Sequence, residues 1–257
     1  MQKKGQTTLF AILGLTILLV VVLYSASIYL LKEKPSEQVK QSAIEAQQDQ
    51  PIKAFIDSCV EQTSKLSIFF FGFVGGDLDP AAYSNFFSYD VHYKIPYLYY
   101  SGKTHALTQE FVEKTLERYV DTKLKKCISG FEQFKGPQII DVAPKTKVGL
   151  LDNEVTFLVE YPVTVMRDGK KSVIGPSFST RVPLRLKEIT LVSNKIVEQK
   201  VADPTLIHWD YLTEVTKKNY NVTAYAELQE SIIYRIVDEK YELLGEPYIF
   251  QFAVKIR

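Results

Sequence analysis

Ile139–Leu186 reads IIDVAPKTKVGLLDNEVTFLVEYPVTVMRDGKKSVIGPSFSTRVPLRL. Valine, isoleucine and threonine dominate it, and branched side chains suit a pleated, half-buried surface. Three strand-length runs, Ile139–Leu151, Val155–Met166 and Ser172–Leu186, are separated by Asp152-Asn153 and Asp168-Gly169. Asp-Gly is the stronger turn signal, because a tight hairpin needs positive φ at both central residues. The stretch predicts an antiparallel meander, with Asp168-Gly169-Lys170-Lys171 as a solvated basic tip.

Helical spacing flanks the meander on both sides. Phe111, Val112, Leu116, Tyr119, Val120, Leu124 and Cys127 form one apolar stripe. Thr108 can cap that helix, Glu110 and Lys123, Lys125 and Lys126 complement its dipole, and Gly130 stops it. After the meander, Ile189, Val192, Ile196, Val197 and Val201 predict a helix ending near Ala202. Asp203-Pro204 predicts the start of another, with Ile207, Tyr211, Leu212 and Val215 inward and Trp209 off the stripe. Strands are expected at 221–225, 232–237 and the C-terminus. There Tyr248, Phe250, Phe252, Val254 and Ile256 alternate with Ile249, Gln251, Ala253 and Lys255. The class predicted is α+β, helices packed on antiparallel sheet. Residues 51–203 form the main domain, and 204–257 belong to it or form a second subdomain.

Upstream, Pro51 suits the first turn of a helix carrying Ile52, Phe55, Ile56, Cys59, Thr63 and Leu66 inward. Ile68–Val74 (IFFFGFV) before Gly75-Gly76 reads as a short buried strand. Cys59 and Cys127 thus both end on inward helix faces. Outside the cytoplasm they would suit one bridge pinning the two helices; the alternative is two separate buried thiols. Tyr83, Phe86, Phe87, Tyr89, Tyr93, Tyr97, Tyr99 and Tyr100 crowd into eighteen residues. Two readings stand: an exposed aromatic binding surface of Tyr89, Tyr93, Tyr97, Tyr99 and Tyr100, or rings that cover the sheet with hydroxyls to water.

Leu9–Leu31 (LFAILGLTILLVVVLYSASIYLL) holds 23 residues without a charge. A helix of that length is about 35 Å long, enough to cross a hydrocarbon core of ~30 Å. The expectation is a basic cytoplasmic leader over 1–8, a transmembrane helix over 9–31 in contact with the lipid bilayer, and a polar stalk over 32–50. The bulk of the chain would lie outside the membrane. The sequon Asn221-Val222-Thr223 fits that side as a candidate glycosylation site.

Lys3-Lys4-Gly5-Gln6-Thr7-Thr8-Leu9-Phe10, followed by Ile12-Leu13-Gly14, resembles the N-terminus of archaeal type IV pilin-like proteins. The resemblance implies a leader cut between Gly5 and Gln6. Where that pattern has Glu at the fifth mature position, this chain has Phe10, and Pro35 interrupts the helix expected to continue into the head. Cys59, Gly75-Gly76, Tyr99-Tyr100-Ser101-Gly102-Lys103 and Gly245-Glu246-Pro247-Tyr248 are similar to a group of uncharacterised membrane-anchored archaeal surface proteins, which imply no activity.

The chemistry is sparse. Net charge is +1, from 31 Lys+Arg and 30 Asp+Glu, so no basic field draws nucleic acid. The histidines His92, His105 and His208 form no zinc motif; Asp90 and His92 with Asp77 or Asp79 would make at most part of a metal site. Gly175-Pro176-Ser177-Phe178-Ser179 is not a nucleophile elbow, and Gly75-Gly76 lacks the lysine of a phosphate loop. No catalytic, cofactor or metal residue is assigned. The function expected is a non-enzymatic, membrane-anchored surface module that binds an envelope protein or glycan. The alternatives are a filament subunit cut before Gln6 and an envelope hydrolase using Asp77, Asp79 or His92.

Overall fold

The computed structural model describes residues 17–24, 37–76, 78, 86–88, 94–204, 206–227 and 231–255. The chain divides into two units, 1–48 and 49–257. In the first, residues 17–24 form helix α1. The expected transmembrane helix is not found among the described residues: none of their helices is long and apolar enough to cross a membrane, which takes ~20 apolar residues. Residues 9–16 and 25–31 of that expectation lie outside the described residues, as do Gly5 and Gln6. The helix that does have the length, α2 (Glu37–Phe73, 37 residues), is not apolar.

α2 also corrects two further expectations. It runs through Pro51, where a break was expected. Pro51 is exposed, so its missing donor costs one backbone bond on the solvent side. It also absorbs Ile68–Phe73 of the expected strand Ile68–Val74: a short apolar run is ambiguous between buried strand and buried helix. Within 49–257 its inward stripe is Ile52, Ile56, Cys59, Val60, Thr63, Ser64, Ser67, Ile68 and Phe71.

The last turns of α2 press on the C-terminal sheet. That sheet has the order β1-β2-β12-β11-β10, from β1 (Phe86–Ser88), β2 (Lys94–Tyr100), β10 (Tyr220–Glu227), β11 (Ser231–Leu243) and β12 (Glu246–Lys255), with the short β3 (Lys103–Thr104) on β2. A Cβ at Gly72 would lie 2.2 Å from the Ile249 carbonyl oxygen, so only glycine permits this approach. Tyr248 Oη donates to the Ile68 carbonyl at 3.3 Å and Gln251 to that of Phe73. β2 meets β12 in parallel, unlike the all-antiparallel sheet expected. Tyr234, Tyr248, Phe250 and Phe252 face the main core; Ile95, Tyr97, Ile233 and Ala253 form a small cluster of their own.

The meander keeps its strand order but each expected strand is cut in two. β4 (Gln138–Ile140), β7 (Val163–Arg167) and β8 (Lys170–Ile174) make one three-stranded sheet; β5 (Lys145–Leu150), β6 (Glu154–Glu160) and β9 (Ser177–Pro183) make another. The cuts fall at Pro144, Pro162 and Pro176. A proline has no ladder donor, and three of them side by side interrupt the sheet across its width. Asp168 and Gly169 form the tip with φ of 50° and 76°, as a tight hairpin requires.

α3 (Gln109–Ile128) is as the sequence predicts. Thr108 accepts from the Phe111 amide, and Ser129 and Gly130 end the helix in left-handed conformation. Its polar face has a second task. Glu113, Glu117 and Asp121 accept from the Leu150, Val148 and Thr146 amides at 3.1, 3.2 and 2.8 Å. Four helical residues rise about 6 Å and two strand residues about 6.7 Å, so the two periods stay in step over three contacts. The carboxylates thereby satisfy the outer amides of edge strand β5.

α3 is joined to α2 by the Cys59–Cys127 disulfide, Cα–Cα 5.7 Å, across 68 residues of sequence. α4 (Leu186–Ala202) and α5 (Trp209–Thr216) complete the unit. α5 begins five residues after Pro204, because Asp203 Oδ1 accepts from the Leu206 amide in a turn rather than opening a helix there.

Replacing both cysteines by serine should lower stability by about 4 kcal/mol, the chain-entropy value for a loop of ~70 residues. An unfolding free energy from guanidinium titration within about 1 kcal/mol of the parent's would contradict this. Glu117→Ala should cost about 2 kcal/mol by orphaning the Val148 amide; Glu117→Gln, which keeps an acceptor, should recover most of that in the same titration.

Candidate functional site

The buried stripe of α4 runs Leu186, Ile189, Thr190, Val192, Ser193, Ile196, Val197 and then Lys200. A lysine thus stands where the helical period calls for an apolar residue, and it is only 2% exposed. Its Nζ donates to the Pro204 carbonyl at 3.2 Å. Burial pushes the Lys200 ammonium below the ordinary lysine range, against an opposing pull from Asp203.

The chain turns at Pro204 and enters α5 through His208. Nε2 of His208 is buried with no hydrogen-bond partner among the described residues. Lys200, His208 and Tyr234 share a small hollow with Ile196, Leu206 and Leu212, with room for about one water molecule. Burial raises the Tyr234 phenol above the ordinary range. Around this corner Val201, Leu206 and Trp209 are exposed, Trp209 by 63%. The corner therefore combines a mainly apolar hollow into which Lys200, His208 and Tyr234 bring polar groups, too small for an organic substrate, with an apolar rim carrying the only tryptophan. An exposed tryptophan offers a large contact area at low entropy cost.

A second polar cluster fixes the start of α4. Arg185 Nε and Nη2 donate to both oxygens of Asp238, and Nη1 to the Lys218 carbonyl at 2.8 Å. Its guanidinium lies 4.0 Å from the Tyr220 ring centroid. Burial disfavours the Glu188 anion, yet hydrogen bonds from Lys218 and Tyr220 outweigh it and hold Glu188 below the usual carboxylate range. Arg185 and Asp238 are both buried and both satisfied, so this cluster is a joint and not an opening.

The residues singled out in the sequence are dispersed. Tyr97 is buried, its hydroxyl 2.9 Å from Ser231 Oγ and its ring 5.2 Å from that of Tyr100. Tyr99 and Tyr100 are half-buried, with Lys255 Nζ 5.5 Å from the Tyr100 centroid. Tyr83, Tyr89 and Tyr93 lie outside the described residues, as do Asp77, Asp79, Asp90 and His92, so no geometry carries the hydrolase reading. Among the described residues no group of three His, Cys, Asp or Glu could hold a metal. His105 is exposed at the foot of β2, and Asn221 is exposed on β10. Cys59 and Cys127 are brought together in a disulfide. Lys200 was readable in principle, lying three and four residues beyond Val197 and Ile196; the hollow it meets was not.

No protein-family model, curated protein or solved structure matches the chain.

A buried lysine with a lowered pKa binds fewer protons folded than unfolded, so its penalty is present at neutral pH and fades as pH rises toward the free value near 10.5. Lys200→Met should therefore be more stable than the parent at pH 7, with the gap closing by pH 10. A gap that is constant or widens in urea titrations across that range would contradict the assignment.

Proposed function

We propose that the chain is a non-enzymatic module of the cell envelope, working outside the cytoplasm and presenting a rigid α+β domain for binding or assembly. The observation that carries this is the Cys59–Cys127 bridge. Structural disulfides persist in oxidising compartments and are rare in the cytosol. The bridge clamps α2 to α3, and α3 in turn seals the β5 edge, so it reinforces a scaffold and serves no redox cycle on this reading.

Two exposed surfaces support the rest. Every residue from Ile17 to Tyr24 is more than half exposed and apolar in body, a surface that water disfavours and a lipid bilayer accepts. That segment holds the module at the membrane. The Val201, Leu206 and Trp209 rim is the contact for an envelope protein or glycan. A second reading is a filament subunit cut before Gln6; it draws on the leader Lys3-Lys4-Gly5-Gln6, while α2 begins only at Glu37, after Pro35.

In intact cells quenched and denatured without reductant, maleimide should label neither cysteine, and protease added outside should remove residues 49–257. Two labelled thiols with protected protein would sink the compartment assignment. A mature N-terminus at Gln6 by mass spectrometry favours the filament reading; an intact Met1 or Gln2 removes it.

A further inference from the structure

Among the described residues the sheets end in strands whose outer edges differ in protection. β5 is sealed by the three carboxylates of α3. β9 begins just after Pro176, ends at Pro183 and carries Arg181; β8 opens with Lys170 and Lys171. β1 and β4 are three residues each. Length, proline and lysine are the usual means of blunting an edge. β10 has none of them. It is eight residues of Tyr220–Glu227, YNVTAYAE, without proline or basic residue, outermost beside β11.

The open groups can be named. Glu239 N donates to Asn219 O at 3.1 Å, which places Asn219 in a hydrogen-bonded pair. Antiparallel pairing alternates, so Asn221, Thr223 and Tyr225 turn their backbone polar groups to β11. Val222 and Ala224, both half-buried, turn theirs away from β11, as does Tyr220, which is fully buried. The same stretch carries Asn221-Val222-Thr223. Asn221 is exposed, and Thr223, two residues on, lies on the same face of the strand.

We propose that Asn221 is N-glycosylated and that the glycan closes the open edge of β10. The inference rests on the extracytoplasmic reading above. Asn221 Nδ2 bonds to the anomeric carbon of an oligosaccharide carried on a polyisoprenoid phosphate. The carbon–oxygen bond to phosphate breaks, the lipid phosphate leaves with the electron pair, and one amide proton passes to a base of the transferase. Nothing is oxidised or reduced. A bulky solvated group at the start of β10 shields this edge sterically, where the carboxylates of α3 seal β5 by hydrogen bonds.

The test uses the full chain purified from its own cells. The peptide containing Asn221 should be heavier than its sequence mass by one oligosaccharide. Asn221→Gln should abolish the increment, and Thr223→Ser should keep it. Light scattering after size exclusion should then find Asn221→Gln at twice the monomer mass or more. Thr223→Lys, which also lacks the sequon but puts charge on the strand, should stay at monomer mass. An unmodified peptide from protein whose cysteines are oxidised in the cell overturns this inference alone; an unmodified peptide with both thiols free overturns the compartment reading as well. A modified wild type with monomeric Asn221→Gln overturns the edge role.

Discussion

Two repeat lengths that nearly coincide hold the first half of this domain together. A helix brings a side chain back to the same face every four residues, about 6 Å along its axis. A strand turns an amide outward every two, about 6.7 Å along its own. Glu113, Glu117 and Asp121 on α3 exploit this against Leu150, Val148 and Thr146 on β5. The apolar stripe of α3 covers the core while the acidic stripe replaces a missing strand. One helix thus supplies packing and edge hydrogen bonds to the meander, and the disulfide to α2 fixes that helix in place. Loss of the helix would expose core and edge together, so the two kinds of interaction are cooperative.

The prolines set the other boundary of this arrangement. Pro144, Pro162 and Pro176 divide three long strands into two short sheets. The first sheet is tied to α2 through Asp49, which accepts from Arg167 Nη1 at 2.8 Å and from Ser172. The second packs on α3. An unbroken three-stranded sheet of that length would have to twist continuously under both helices. Breaking it lets each half adopt the orientation its own helix requires.

What could be read from the sequence was what depends on local period and turn chemistry. The stripe of α3, its Thr108 cap, the Asp168-Gly169 tip and the inward faces of Cys59 and Cys127 are all of this kind. Misreadings came where two local rules compete. Pro51 looks like a helix start, but an exposed proline costs little against the buried stripe from Ile52 to Phe71 that follows it. IFFFGFV looks like a strand until Gly72 is seen to admit a β12 carbonyl. The prolines of the meander were visible as residues, yet their alignment across three strands is a tertiary fact. The apolar character of 9–31 was legible, whereas a continuous spanning helix was not what the described residues formed. Arg185 and Asp238 carry no motif, and each is explained only by the other, far along the chain; the hollow that Lys200 meets also takes Tyr234 from far along the chain.

That last pair decides where the candidate site sits. A buried ion pair contributes little net stability, since desolvating both charges offsets their attraction, but breaking one leaves an uncompensated buried charge. Its value is positional. Asp238 lies where the β11/β12 register shifts, between Asp238 and Glu242, and its Oδ1 also accepts from the Lys240 amide inside that irregularity. Arg185 is the residue before the first turn of α4. The pair therefore locks the start of α4 to the bend in β11, and Asn194, hydrogen-bonded both ways to the Leu107 backbone at 2.9 and 3.0 Å, locks its middle. With two points of a 17-residue helix fixed, the position of its end is fixed too. Lys200 must then enter the core beside His208 and Tyr234, and Trp209 must stand out on the rim. The exposed corner is a consequence of how α4 is held and not of any local preference in the residues that form it.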